Sequence, residues 1–197
     1  KGQYAGADKA LQIQSAGRVL AAEERADAVV FISMDPSAAY RLEVPYLKSY
    51  RRDFHLIRGR HLLVVDEVEL QQEGQVQWLM QLMAPPQLGQ SSFRFEGERG
   101  GITGEFVFCS SGAPSLSAVE GFDDADPAEI ADLPRHHRLV ATTPRARSHS
   151  LVTLLTPYRK GRSERLHHFI DDQGFATHIY FQDALDRSYS VTLPKRF

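Results

Sequence analysis

The most informative segment for the fold is YRRDFHLIRGRHLLVVDEVEL, residues 50–70. Apolar side chains recur at every second position on both sides of Gly59, which predicts two antiparallel strands joined by a hairpin turn. A turn centred on Gly59 places Arg52 opposite Asp66, and each is the charged member of an otherwise apolar row. Because an unpaired buried charge costs several kcal/mol, we predict a cross-strand ion pair between Arg52 and Asp66 inside the fold. The alternative is that Arg52 neutralises a substrate carboxylate.

The rest of the chain follows the same pattern of short strands. Alternating or apolar runs are bounded by Gly, Pro and Asp clusters, and they predict roughly a dozen strands. The clearest runs cover residues 28–32, 50–58, 61–70, 76–83, 102–109, 150–155, 166–170, 175–181 and 188–193. Helix is predicted only as short turns over residues 36–40 and 127–133, with Asp35 and Asp126 as their caps. The expected fold is therefore an all-β antiparallel sandwich with little helix, forming one domain over residues 1–197.

Composition excludes several classes of protein. The chain has 197 residues, of which 42% are hydrophobic, so it is long enough to bury a core and is neither disordered nor a coiled coil. Its 23 Lys and Arg nearly balance its 25 Asp and Glu, so we expect no nucleic-acid partner and no membrane surface. No apolar run approaches the ~20 residues that span a bilayer. The start, Lys1-Gly2-Gln3-Tyr4, has no signal-peptide pattern and no initiator Met, so we expect an internal or C-terminal piece of a longer protein.

Motifs of catalysis and metal binding are absent from the sequence. There is no Gly-x-Ser-x-Gly and no phosphate-binding loop, and the single Cys109 cannot form an internal disulfide. The eight histidines lack the spacing of zinc ligands, so we expect no metal in this segment. Residues 112–134 are acidic and are interpreted as a surface excursion between two sheet regions, with a cation site as the alternative.

Binding residues are sought among tyrosines and arginines. Aromatic rings stack on sugar rings, and Tyr46 and Tyr158 lie in predicted turns; the other tyrosines considered are Tyr4, Tyr40 and Tyr180. Trp78 shares its strand face with apolar residues, which favours a core role. Arg145 and Arg147 belong to the basic stretch of residues 135–147, which could meet an anionic polymer, although a solvated strand edge is the commoner explanation of such a stretch. The substrate-binding candidates are therefore Tyr46, Tyr158, Arg145 and Arg147.

Four segments resemble a known family. DPSAAY at residues 35–40, YRRDF at 50–54, LLVVDEV at 62–68 and LVTLLTP at 151–157 look like the C-terminal β-sandwich of the heparinase II/III-like polysaccharide lyases. That family includes heparin and heparan lyases and oligoalginate lyases. The resemblance runs in order from about residue 2 to residue 157. It implies cleavage of uronate-containing polysaccharide by β-elimination, in which a Tyr or His moves the protons.

The resemblance also implies where the chemistry lies. Members of the family join an N-terminal α/α toroid to the sandwich, and their catalytic residues lie mainly outside the present segment. A structural zinc, where present, is held by a segment that would end just before Lys1, so no cofactor is expected here. The implied location is periplasmic or secreted, the implied ligand is an acidic polysaccharide, and an oligomer is compatible. The alternatives are a non-catalytic carbohydrate-binding module and a structural or oligomerisation module.

Overall fold

The computed structural model describes residues 16–25, 29–121, 136–161, 167–173, 176–182 and 188–194. These residues form short and long strands and one helix of five residues. In chain order the elements are β1 (Arg18–Arg25), β2 (Val29–Asp35), α1 (Ser37–Arg41), β3 (Leu47–Ile57), β4 (His61–Gly74), β5 (Gln77–Leu82), β6 (Gln87–Leu88), β7 (Ser92–Glu96), β8 (Gly100–Cys109), β9 (Ser115–Glu120), β10 (His137–Thr142), β11 (Ala146–Arg159), β12 (His167–Gln173), β13 (Ala176–Gln182) and β14 (Ser188–Pro194). The predicted all-β class is confirmed.

The strands form three antiparallel sheets. The main sheet has eight strands in the order β1-β2-β3-β4-β11-β8-β7-β6. A three-stranded sheet, β5-β10-β9, packs on one face of the main sheet, and a second, β12-β13-β14, packs on the other. The predicted antiparallel sandwich is therefore present as a central sheet with a smaller sheet on each side.

Two cores separate these layers, and β11 contributes to both. The core under β5-β10-β9 contains Trp78, Leu82, Phe93, Phe106, Leu139, Ala141, Leu151 and Leu155. The core under β12-β13-β14 contains Ile57, Leu63, Val65, Val107, Val152, Leu154, Ile179, Phe181, Val191 and Leu193. Successive residues of a strand point to opposite faces, so a strand covered on both sides is apolar at every position. This explains residues 151–156, in which four aliphatic residues and two threonines are all buried. Trp78 has the predicted core role.

The hairpin of residues 50–70 forms as predicted. β3 pairs with β4, and Arg52 lies opposite Asp66. The turn contains Arg58 with φ 54° and Gly59 with φ 64°, and left-handed backbone of this kind is what a tight hairpin requires. The apolar periodicity and one glycine were enough to define this register.

Other boundaries differ from the prediction. The helix begins one residue later than expected, at Ser37, although the Asp35 carboxylate accepts a hydrogen bond from the Ser37 amide at 3.0 Å as a cap does. The predicted helix at 127–133 lies outside the described residues. The interpretation of 112–134 as a surface excursion is wrong for its first part, since β9 pairs with β10 there. β9 is mostly exposed, with Leu116 its one half-buried side chain, and its alternation of polar and apolar residues covers only residues 115–118.

Candidate functional site

The predicted ion pair lies on the face of the main sheet shared with β5-β10-β9. Arg52 Nε lies 2.6 Å and Arg52 Nη2 2.9 Å from the two carboxylate oxygens of Asp66, so the prediction is confirmed. The Tyr50 hydroxyl donates a third hydrogen bond to Asp66, at 2.9 Å. Asp66 is 2% exposed. Burial, followed by the negative charge of Asp66, raises the pKa of Tyr50 well above its usual range.

This arrangement is that of a structural cluster. Arg52 directs two of its donors at Asp66, so its charge is already balanced before any ligand arrives. Tyr50 remains protonated and donates to the same carboxylate, which makes it unsuited to remove a proton. The geometry therefore favours the ion-pair interpretation of Arg52 over neutralisation of a substrate carboxylate.

Three of the four substrate-binding candidates come together where β4 ends and β11 begins. Gly74 pairs with Ala146, and a Cβ added to Gly74 would lie 3.8 Å from the Tyr46 ring. Arg145 is exposed and donates from Nη2 to the Glu73 carbonyl oxygen at 2.8 Å. Arg147 is exposed one residue beyond Ala146. We name this region, Tyr46 with Arg145 and Arg147, the basic end of the main sheet.

Tyr158 lies at the opposite end of β11. Twelve residues of strand at about 3.3 Å each separate it from the basic end by roughly 40 Å. The Arg94 guanidinium carbon lies 4.6 Å from the centre of the Tyr158 ring. The Tyr158 hydroxyl donates a hydrogen bond to the Glu96 carboxylate at 3.1 Å. Tyr158 also lies opposite Gly101, whose added Cβ would clash with its ring. Its ring is thus held by neighbours, and its role in binding sugar stays a prediction.

A buried histidine that the sequence analysis did not identify supports the basic end. His149 is 2% exposed, and its Nδ1 lies 3.1 Å from the Thr143 hydroxyl and 3.3 Å from that of Ser111. Its Nε2 lies 3.2 Å and 3.1 Å from the carbonyl oxygens of Gly74 and Ala146. The two carbonyls require a proton on Nε2, so Nδ1 accepts from the hydroxyls. Burial lowers the pKa of His149, and the neutral ring ties β4 to β11.

A second histidine, also missed, joins the main sheet to β14. His55 Nδ1 and the Tyr189 hydroxyl share a short hydrogen bond, and the rings of Phe31 and His55 lie 4.9 Å apart. Burial lowers the pKa of His55 to about 4 and raises that of Tyr189 to about 12. Both shifts keep the pair neutral, whereas a tyrosine that acts as a base needs a lowered pKa. The pair therefore holds two layers together.

Metal ligands do not cluster in the part of the chain that the structure describes. No group of three or more His, Cys, Asp or Glu side chains there is placed to hold an ion. Within the same residues, no helix is both long and apolar enough to cross a bilayer.

The fold is shared with solved structures of heparinase III and of a heparan sulfate lyase. A crystal structure of heparinase III covers 91% of this chain with a TM-score of 0.64 at 13% identity. A second heparinase III, with methylated lysines, covers 91% with a TM-score of 0.65 at 11% identity. Heparan sulfate lyase HepC from Pedobacter heparinus covers 90% with a TM-score of 0.62 at 13% identity. The present chain spans only 27%, 27% and 28% of these three proteins.

At these identities the likeness defines the fold. This chain has the β-sandwich architecture found in part of heparinase III and of heparan sulfate lyase HepC. No protein-family model matches the sequence, and no curated protein matches it.

Proposed function

We propose that this chain is the C-terminal β-sandwich of a heparinase II/III-like polysaccharide lyase that cleaves uronate-containing polysaccharide by β-elimination in the periplasm or outside the cell. The observation that carries the proposal is the fold, which heparinase III and HepC share over 90% or more of the chain. The four segments that resemble the family lie in β2, α1, β3, β4 and β11, which include the centre of that fold.

In the proposal, this sandwich supports the reaction and other residues of the full-length polypeptide perform it. Elimination needs a group that removes the proton next to the uronate carboxylate. The shifted tyrosine pKa values among the described residues, those of Tyr50, Tyr158 and Tyr189, are all raised, which disfavours the phenolate. The described residues offer no cluster fit for the family's structural zinc, which the proposal places before Lys1.

An exposed apolar face suits contact with another domain. β1, β2 and β3 extend beyond β5-β10-β9, and Val19, Val30 and Leu56 are 63%, 41% and 39% exposed on their shared face. Phe54 and Met34 lie half-buried among them. Contiguous apolar surface of this kind marks a protein contact. In the proposal, the α/α toroid of the same polypeptide covers this face, which we name the open face.

Leu56→Glu in the full-length polypeptide is expected to remove most of its elimination activity. A carboxylate at position 56, opposite Val30 on the open face, opposes burial against another domain. The matched control is Leu88→Glu on β6, where the leucine is 41% exposed and far from the open face. Activity is followed by the ultraviolet absorbance of the unsaturated product. Equal activity of the two variants would contradict toroid docking at this face, and a lower oligomeric state of Leu56→Glu with full activity would assign the face to self-association.

The basic end is proposed to contact the acidic polysaccharide. Arg145 and Arg147 supply positive charge, and the half-buried Tyr46 ring lies near Gly74 at the same end of the sheet. We expect Arg145→Ala with Arg147→Ala to weaken heparan sulfate binding by about tenfold at low salt and to reduce its salt dependence. The control removes the same charge at the far end of β11, through Arg159→Ala with Lys160→Ala. Identical titration curves for the two double variants would contradict polysaccharide binding at the basic end. Tyr158→Ala, measured in the same titration, tests separately whether Tyr158 contributes to binding.

A further inference from the structure

The β12-β13-β14 sheet has an outer face that differs from its inner one. Its inner side chains, Ile179, Phe181 and Val191 among them, are buried against the main sheet. On the outer face Phe169 is 65% exposed and Tyr180 is 41% exposed. Two large exposed aromatic rings on one face of a small sheet have no role in the cores described above.

The exposed rings are neighbours and nearly parallel. Phe169 on β12 pairs directly with Tyr180 on β13, and their ring centres lie 6.2 Å apart with 28° between the planes. His178, two residues along β13, has its ring centre 6.3 Å from that of Tyr180 with 25° between the planes. We name Phe169, Tyr180 and His178 the aromatic platform. The Thr192 hydroxyl lies 3.0 Å from His178 Nδ1 and fixes one end of the platform.

The surroundings of the aromatic platform are polar. Around the rings the described outer face carries only small or polar side chains: His167, Asp171, Gln173, Ala176, Gln182, Ser188, Ser190 and Thr192. Phe and Tyr bury about 150–250 Å² each at most. A stable protein contact buries about 800 Å² on each partner, so two rings are too little for a second copy of the chain. The face suits a ligand with apolar patches and many hydroxyl groups.

The charges on the described outer face of β12-β13-β14 distinguish between charged and uncharged ligands. Asp171 is the one acidic side chain on the described outer face, and that face has no Lys or Arg. A uronate polymer, a nucleic acid and an anionic membrane all require positive charge at the contact. An uncharged pyranose has a flat C–H face for stacking on aromatic rings and hydroxyls for the neighbouring polar groups.

We propose that the aromatic platform binds an uncharged pyranose chain. Sugar rings stack on Phe169 and Tyr180, while His178 and Asp171 hydrogen-bond the hydroxyls. This site lies on the opposite side of the main sheet from the open face, and it does not depend on the proposed lyase function. It would hold the protein on a neutral glycan.

The test is calorimetric titration of the chain with cellohexaose, xylohexaose and mannohexaose. Binding of at least one of them is expected, unchanged between low and high salt. Phe169→Ala and Tyr180→Ala are each expected to weaken it by about tenfold or more, as for truncation of a central aromatic contact. Leu88→Ala, which removes an exposed apolar side chain from β6 in the main sheet, is the control and is expected to bind normally.

Three results would overturn the proposed sugar binding by the aromatic platform. They are no binding of any of the three oligosaccharides at millimolar concentration, normal binding by Phe169→Ala, and binding that is lost at high salt concentration. Circular dichroism of Phe169→Ala shows whether its sheet is intact, and Tyr180→Ala is an independent second variant. A failed platform would leave the lyase proposal untouched, because that proposal is tested by product formation.

Discussion

Asp66→Ala is expected to lower the free energy of unfolding by about 3–5 kcal/mol, the range found when one partner of a buried ion pair is removed. Asp66 accepts three hydrogen bonds, two from Arg52 and one from Tyr50. Its loss leaves the guanidinium and the buried hydroxyl without their acceptor, and each then bears its own desolvation cost. Urea denaturation of the wild type and the variant measures the difference.

Two further variants make this prediction specific. Glu23→Ala removes a carboxylate from the exposed pair with Arg25 and is expected to cost less than about 1 kcal/mol. Arg52→Ala with Asp66→Ala is expected to be less destabilising than the sum of the single variants, because the double variant leaves no unpaired charge. If Asp66→Ala were as mild as Glu23→Ala, the ion pair would not be a buried structural element.

Phe181→Ala is expected to lower the free energy of unfolding by about 3–5 kcal/mol, the range for truncation of a buried phenylalanine in other proteins. Phe181 is 1% exposed and belongs to the core between β12-β13-β14 and the main sheet. Its removal leaves a cavity under the small sheet. Phe169→Ala is the matched control, because Phe169 lies on the opposite face of the same sheet and is 65% exposed. Its free energy of unfolding is expected to change by less than about 0.5 kcal/mol.

The contrast between the two phenylalanines tests the layering of the fold. A large loss for Phe181→Ala and none for Phe169→Ala follows only if the inner face of β12-β13-β14 packs on the main sheet. Similar losses for both variants, measured by urea denaturation, would mean that the two faces are not distinguished in this way.

Local patterns predicted the centre of the fold. The hairpin register at Arg52 and Asp66 followed from period-two alternation and one turn glycine. The largely apolar run of residues 150–155 predicted a strand, because burial on both faces removes most polar positions. Both features can be predicted because the pattern that indicates each of them lies within a short stretch of sequence.

Edges and long-range contacts were not predictable in the same way. β1 carries two Arg and two Glu, with seven of its eight side chains exposed, so it has no apolar face that sequence alternation would reveal. The division into three sheets depends on pairings such as β4 with β11, which join residues about 80 positions apart. Nothing local in either strand specifies the other.

The candidate sites depend on those same long-range pairings. Tyr46 and Arg145 come to the same end of the main sheet only because β3 and β11 both pair with β4, and the length of β11 places Tyr158 at the other end. Tyr180 was considered from sequence as a sugar-stacking residue. Phe169 was not, because an apolar residue in a strand is expected to face a core; only the register of β12 with β13 shows that it lies beside Tyr180 on the outer face.

The most direct measurement follows the ultraviolet absorbance of unsaturated product from heparin, heparan sulfate, alginate and chondroitin sulfate. Each polymer is offered to the full-length polypeptide that contains this sequence and to the 197-residue chain alone. We predict product from the full-length polypeptide on at least one polymer and none from the isolated chain. Product from the isolated chain would contradict the supporting role, and no product from either on any polymer would contradict the lyase assignment.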